Sequence, residues 1–140
     1  MNAVRAKQRP GKGDLLRVTD RPIVPEKVIS GVTWDDCGAL VTFSGRVRGR
    51  SGGKRVLSLE HRLPAGEERK TLRQIAAEMR ERWSLGRIAL CFRSGPVPAG
   101  EVTVVVAVSA THRQEAFAAC QYAIDRFKAV VSAKEIEEDA

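Results

Sequence analysis

The chain has 140 residues, 43% hydrophobic and 29% charged, which is enough apolar mass for one buried core and excludes a disordered polyelectrolyte. Aromatic residues make up only 5%, too few for a stacking platform under single-stranded nucleic acid, and no run of about 18 apolar residues is present to span a membrane. The net charge of +7 suits an anionic ligand or partner, while three scattered cysteines without a CxxC exclude a disulfide framework or zinc site and fit a reducing cytoplasm.

Residues 1–13 carry Arg5, Lys7, Arg9 and Lys12 with no acid. They read as a basic flexible tail, either solvated or touching an anionic partner, and residues 14–140 read as a single domain. Leu15 to Thr19 predicts a short strand and Asp20-Arg21-Pro22 a turn. Pro25 to Val32 predicts a short helix, with the proline in the first turn, where a missing N–H costs nothing. Ala39, Val41 and Phe43 then alternate with Leu40, Thr42 and Ser44, a half-buried strand opened by Gly38 and closed near Gly45. The run GRSGGKR at 49–55 reads as a mobile loop. It fails the phosphate-loop template GxxxxGK[ST], because Arg48 stands for the first glycine and Arg55 for the hydroxyl residue.

Val56 to His61 predicts another strand, with Leu57 and Leu59 on one face. Glu67 to Trp83 predicts a helix whose apolar stripe is Leu72, Ile75, Ala76, Met79 and Trp83. Ile88 to Phe92 reads as a strand, and Gly95 to Gly100 as a turn. Val102 to Val108 is almost wholly apolar and β-branched, the pattern of a central strand covered on both sides. Thr111 with Gln114 matches a capping box, opening a helix from His112 to at least Lys128 with Phe117, Cys120, Ile124, Phe127 and Val131 as its buried stripe. The pattern predicts an α+β fold, with two main amphipathic helices packed on one face of a mixed sheet.

Three basic clusters sit at element ends. Arg46 and Arg48 flank Val47 at a strand end, and two residues apart on a strand means one face, so their guanidiniums could grip a phosphate. An ordinary charged edge is the competing reading. His112 and Arg113 fall in the first turn of a helix, where free N–H groups already favour an anion and cations oppose the dipole. Lys128 lies in the last turn of that helix, which by itself is ordinary dipole complementation. No Ser/His/Asp set and no metal-ligand spacing is recognisable.

The run from Cys37 to Arg48 resembles the strand-and-loop signature of the large, catalytic subunit of molybdopterin synthase. Leu59-Glu60-His61, the stretch Trp83 to Ile88, Ser109-Ala110-Thr111-His112-Arg113, and Val18-Thr19-Asp20 with Pro22 are similar to that family in the same order. The resemblance covers roughly Leu15 to Lys128. It implies an α/β hammerhead-like fold, a homodimer, and on each protomer one small ubiquitin-like subunit ending in a Gly-Gly thiocarboxylate. Sulfur would pass from that tail to cyclic pyranopterin monophosphate, forming the molybdopterin dithiolene without metal or organic cofactor. Substrate-binding positions carry over to Arg46, Val47, Arg48, His112 and Arg113, and the catalytic lysine to Lys128, as proton carrier or acyl acceptor.

The sequence departs from the family at its C-terminal end. The family follows its first lysine with proline, aromatics and a second functional lysine seven residues on. Here Lys134 comes six residues after Lys128, and no proline or aromatic intervenes. With no breaker between Lys128 and Asp139, the helix is expected to continue, turning Lys134 about 120° away from Lys128. This predicts a minor role for Lys134 and an impaired synthase. The alternatives are a non-catalytic dimeric binding module or, using the basic tail and the GRSGGKR run, a nucleic-acid-binding protein.

Overall fold

The computed structural model describes residues 13–137. Residues 1–12, holding the four cations of the expected tail, and residues 138–140 lie outside the described residues. In chain order the elements are β1 (Leu15–Thr19), α1 (Pro25–Val32), β2 (Ala39–Arg46), β3 (Arg50–Ser51), β4 (Lys54–Arg62), α2 (Glu68–Arg82), β5 (Ile88–Arg93), β6 (Val97–Pro98), β7 (Val102–Ala110), α3 (Arg113–Val130) and β8 (Ser132–Glu137).

The main sheet is mixed, in the order β1-β5-β7-β2, with β1 parallel to β5 and the other pairs antiparallel. Its β-branched central strand β7 is buried almost throughout. The period-2 alternation divides its side chains between two layers. Ile88, Leu90, Phe92, Val106 and Val108 face one way, toward Leu72, Ile75 and Met79 of α2 and Ala119, Cys120 and Ala123 of α3. Ala89, Cys91, Val105 and Ala107 face the other way, toward Val28 and Val32 of α1. The two main helices therefore share one face as expected, and the short helix covers the opposite face.

Polar side chains fix the helices. The Glu78 carboxylate on α2 accepts from the Tyr122 hydroxyl at 2.7 Å and from Arg126 Nε at 2.8 Å, both on α3. Arg82 lies over the Tyr122 ring, and Trp83 meets that ring edge-on. Asp14, just before β1, accepts from Arg80 Nη2 at 2.6 Å and from the Ile88 N–H at 2.9 Å, tying β1 to α2 and β5.

A second, smaller sheet runs β3-β4-β6, with β8 also paired to β4. Its buried core is Val47, Val56 and Val97, with Leu59 packed against it. The register shifts between Val56 and Ser58, so Leu57 is exposed and does not share the face of Leu59. The segment read as a loop forms a tight hairpin: Ser51 pairs with Lys54 across Gly52-Gly53, whose φ angles are 58° and 80°. Two consecutive positive φ values define a type I′ turn, which two glycines adopt without strain.

Three helix expectations at α3 are corrected. The helix begins one residue later than the capping-box reading, with His112 as N-cap and no side-chain cap hydrogen bond. Thr111 is used differently: its carbonyl oxygen packs so closely on Gly38 that any Cβ at position 38 would overlap it. Phe117, placed on the buried stripe, is 61% exposed. The helix also does not continue past Lys128 toward Asp139. It ends at Val130, Val131 turns extended, and residues 132–137 form strand β8, antiparallel to β4 from Arg62 back to Val56. The helix propensity of Ala, Lys and Glu yields to two β-branched valines and to the hydrogen-bonding edge that β4 offers.

Candidate active site

A cavity of about 170 Å³ opens where the two sheets meet. Phe43, Phe92, Ile124 and Phe127 form apolar walls, and Arg46, His61 and Lys128 supply its cationic and titratable side chains. Each of the three comes from a different element. Arg46 is the last residue of β2, beyond a register shift after Gly45 that bends the strand end. Its Nη2 donates to the Gly100 carbonyl, which fixes the guanidinium at the cavity edge. Lys128 lies in the last turn of α3 and is exposed.

His61 sits on β4 opposite Ala133 of β8 and is half-buried. Burial pushes its imidazole below the ordinary value, so the ring is neutral at neutral pH and offers a nitrogen lone pair. His61 is not among the site residues expected from the sequence. One signal was present: on an alternating strand it shares the inward parity of Leu59.

The remaining predicted residues lie elsewhere. Val47 is 2% exposed, and its side chain belongs to the small core. Its backbone is what contributes: the N–H donates to the Glu101 carbonyl and the carbonyl accepts from Gly100 N–H, pinning the strand end to the β6–β7 turn. Arg48 is exposed beyond the end of β2 and lines neither this cavity nor the one described next. His112 and Arg113 line a second, more open cavity of about 480 Å³ at the start of α3, with Gly38 and Glu115. They stand sixteen and fifteen residues before Lys128 at the start of the same helix, so about 22–24 Å away at 1.5 Å per residue.

Lys134 is exposed on β8, directly opposite Glu60. In an antiparallel pair such residues share a face, and His61 with Ala133 takes the other. Glu60 is held below the usual carboxylate range mainly by its hydrogen bond from Arg62, with smaller help from the charge of Lys134. Lys134 does not line the cavity that holds Lys128. Among the described residues no three His, Cys, Asp or Glu side chains gather as metal ligands, and no helix is long and apolar enough to cross a membrane.

Residues 18–130 match the family model described as MoaE protein. The chain is 40% identical over 126 residues to the molybdopterin synthase catalytic subunit of Bacillus subtilis, covering 89% of this chain and 80% of that relative. It is 40% identical over 114 residues to the protein of the same name from Halalkalibacterium halodurans, covering 81% and 73% respectively. The fold is similar to the crystal structure of molybdopterin synthase from Staphylococcus aureus, with a TM-score of 0.81 and 32% identity over 89% of this chain and 93% of that one.

Proposed function

The chain belongs to the MoaE protein family of molybdopterin synthase catalytic subunits, and from that premise we propose that it transfers sulfur to cyclic pyranopterin monophosphate from the Gly-Gly thiocarboxylate of a small ubiquitin-like subunit. The observation that carries this reading is the convergence of Arg46 and Lys128, from separate elements, on one cavity with apolar walls. Such walls lower the local dielectric and strengthen charge interactions, which suits a reactive acyl–sulfur group. Arg46 positions anionic groups at the mouth. Lys128 carries a proton or accepts the tail's acyl group. Arg48, His112 and Arg113 hold the cyclic phosphate, and Val47 shapes the strand end from which Arg46 and Arg48 project.

The two basic cavities lie too far apart on one helix to serve one small ligand. We therefore assign His112 and Arg113 to the pocket of a second protomer, so that the working unit is a homodimer carrying two small subunits. The three cysteines are free thiols, which fits a reducing cytoplasm. Lys134 acts as a weaker second lysine, supported by its position off the cavity. The test mixes His112→Ala and Lys128→Ala chains, each inactive alone, with thiocarboxylated small subunit and substrate. A shared pocket restores part of the molybdopterin formation, because each hybrid dimer keeps one intact pocket. Proven hybrid dimers without recovery would place both residues in one chain's site.

A further inference from the structure

The geometry points to His61 as the base that deprotonates the water which cleaves the acyl–sulfur bond of the thiocarboxyl tail. This rests on the sulfur-transfer reading above and adds a residue and a step to it. Once the tail's sulfur bonds to the acceptor carbon, the tail is joined through a thioester. Its release requires an oxygen: water's oxygen bonds to the acyl carbon, the C–S bond breaks, and its electron pair stays on sulfur. The tail leaves as a carboxylate. One of the water's protons goes to His61, which returns it to the departing sulfur or to solvent, and the other is shed to solvent. Nothing is oxidised or reduced. The step needs an unprotonated base beside the acyl carbon, and of the three charged or titratable side chains in this cavity, Arg46 cannot accept a proton and Lys128 is already assigned to proton or acyl transfer.

His61 meets the requirement on position and environment. It lines the cavity of Lys128 and is half-buried. Among the described residues no hydrogen-bond partner takes its ring nitrogens, so they are free for a water. The strand opposite presents only the methyl group of Ala133. The charged groups that share its cavity are Arg46 from β2 and Lys128 from α3. Glu60 and Arg62 on its own strand, and Lys134 on β8, take the alternate face. Phe92 of β5 and Thr103 of β7 add no titratable group. Burial favours the neutral imidazole.

The test compares the wild-type protein with His61→Gln and His61→Ala, each with thiocarboxylated small subunit and cyclic pyranopterin monophosphate. Thermal melts confirm folding, and intact-mass spectrometry after rapid quenching looks for small subunit covalently joined to pterin. His61→Gln should keep substrate affinity within about two-fold and lose roughly 10²-fold in kcat. The joined species should accumulate, and the acid-side fall in rate, set below the ordinary imidazole value by burial, should vanish. Added imidazole should restore part of the rate to His61→Ala. Wild-type kcat and an intact acid limb in His61→Gln would overturn the proposal, as would a defect confined to substrate affinity. Absence of product from the wild type would instead remove the sulfur-transfer reading on which it stands.

Discussion

The main sheet and the small sheet draw on the same aliphatic residues, yet they are held together differently. On the main sheet's helical face Leu72, Ile75, Met79, Ile88 and Leu90 are fully buried, and two helices and a carboxylate clamp lock that layer. The small sheet buries Val47, Val56 and Val97, and β8 is exposed along nearly its whole length. Apolar burial contributes about 25 cal/mol per Å², so three valines cannot stabilise a sheet alone. The small sheet holds its place through the β4–β8 ladder, the Val47 backbone bonds and its covalent continuity with β2 and α3. The cavity lies on the seam between the two regions. Arg46 ends a strand of the firm region, His61 belongs to the weak one, and Lys128 is in the last turn of α3, just before the chain crosses between them.

The contrast is sharpest if function and stability separate at the seam. Lys128→Ala should lower turnover by roughly 10²-fold or more while leaving the melting temperature unchanged, because the side chain is exposed. Lys134→Ala should cost far less turnover, and steady-state molybdopterin formation by both variants checks the ranking. Equal losses would put both lysines in one chemical step. Next in size, Met79→Ala should cost about 2–5 kcal/mol in denaturant unfolding, against about 1–2 kcal/mol for Val97→Ala. Val97→Ala should also raise amide exchange in β4 and β8 before it does so in β5 and β7. Uniform loss of protection would mean that the two sheets unfold as one unit and would break the comparison.

The smallest effect concerns the clamp of the firm region. Arg126 first, and then Tyr122, hold the Glu78 carboxyl below its ordinary value of 4.5. Its contribution to stability is therefore complete above about pH 4.5 and fades as pH falls through the lower folded-state value. Glu78→Gln should be less stable near neutrality, and the difference from wild type should shrink in acid. Parallel pH-dependent denaturation curves for the two proteins would show that the carboxylate adds nothing.

Legibility in the sequence followed the same division. The β-branched run of β7 and the stripes of α2 and α3 carry their own periodicity, so the α+β architecture was readable before any contact was known. β3 and β6 have two residues each, too short for any pattern, and β8 has the composition of a helix. Its strand form depends on β4, which no local window contains. The site was half readable for the same reason. Lys128, Arg46 and the His112-Arg113 pair stood out at element ends, whereas His61 is a single histidine within a strand. Its relation to Lys128 exists only after β4 and α3 come together around Phe127.

The ladder between β4 and β8 gives chain length a meaning of its own. Along a strand, odd and even positions look in opposite directions, so the number of residues between Lys128 and the first rung decides which side chain follows His61 and which follows Glu60. With the present count, Ala133 takes the histidine's side and Lys134 the glutamate's. Removing one residue from the Ala129–Val131 connection, with the pairing of β4 otherwise kept, would set Lys134 opposite His61 and bring an ammonium to the rim where a methyl now stands. Charge at this cavity is thus set by parity as much as by composition. A segment whose residues suit a helix governs the chemistry next door through the evenness or oddness of its length.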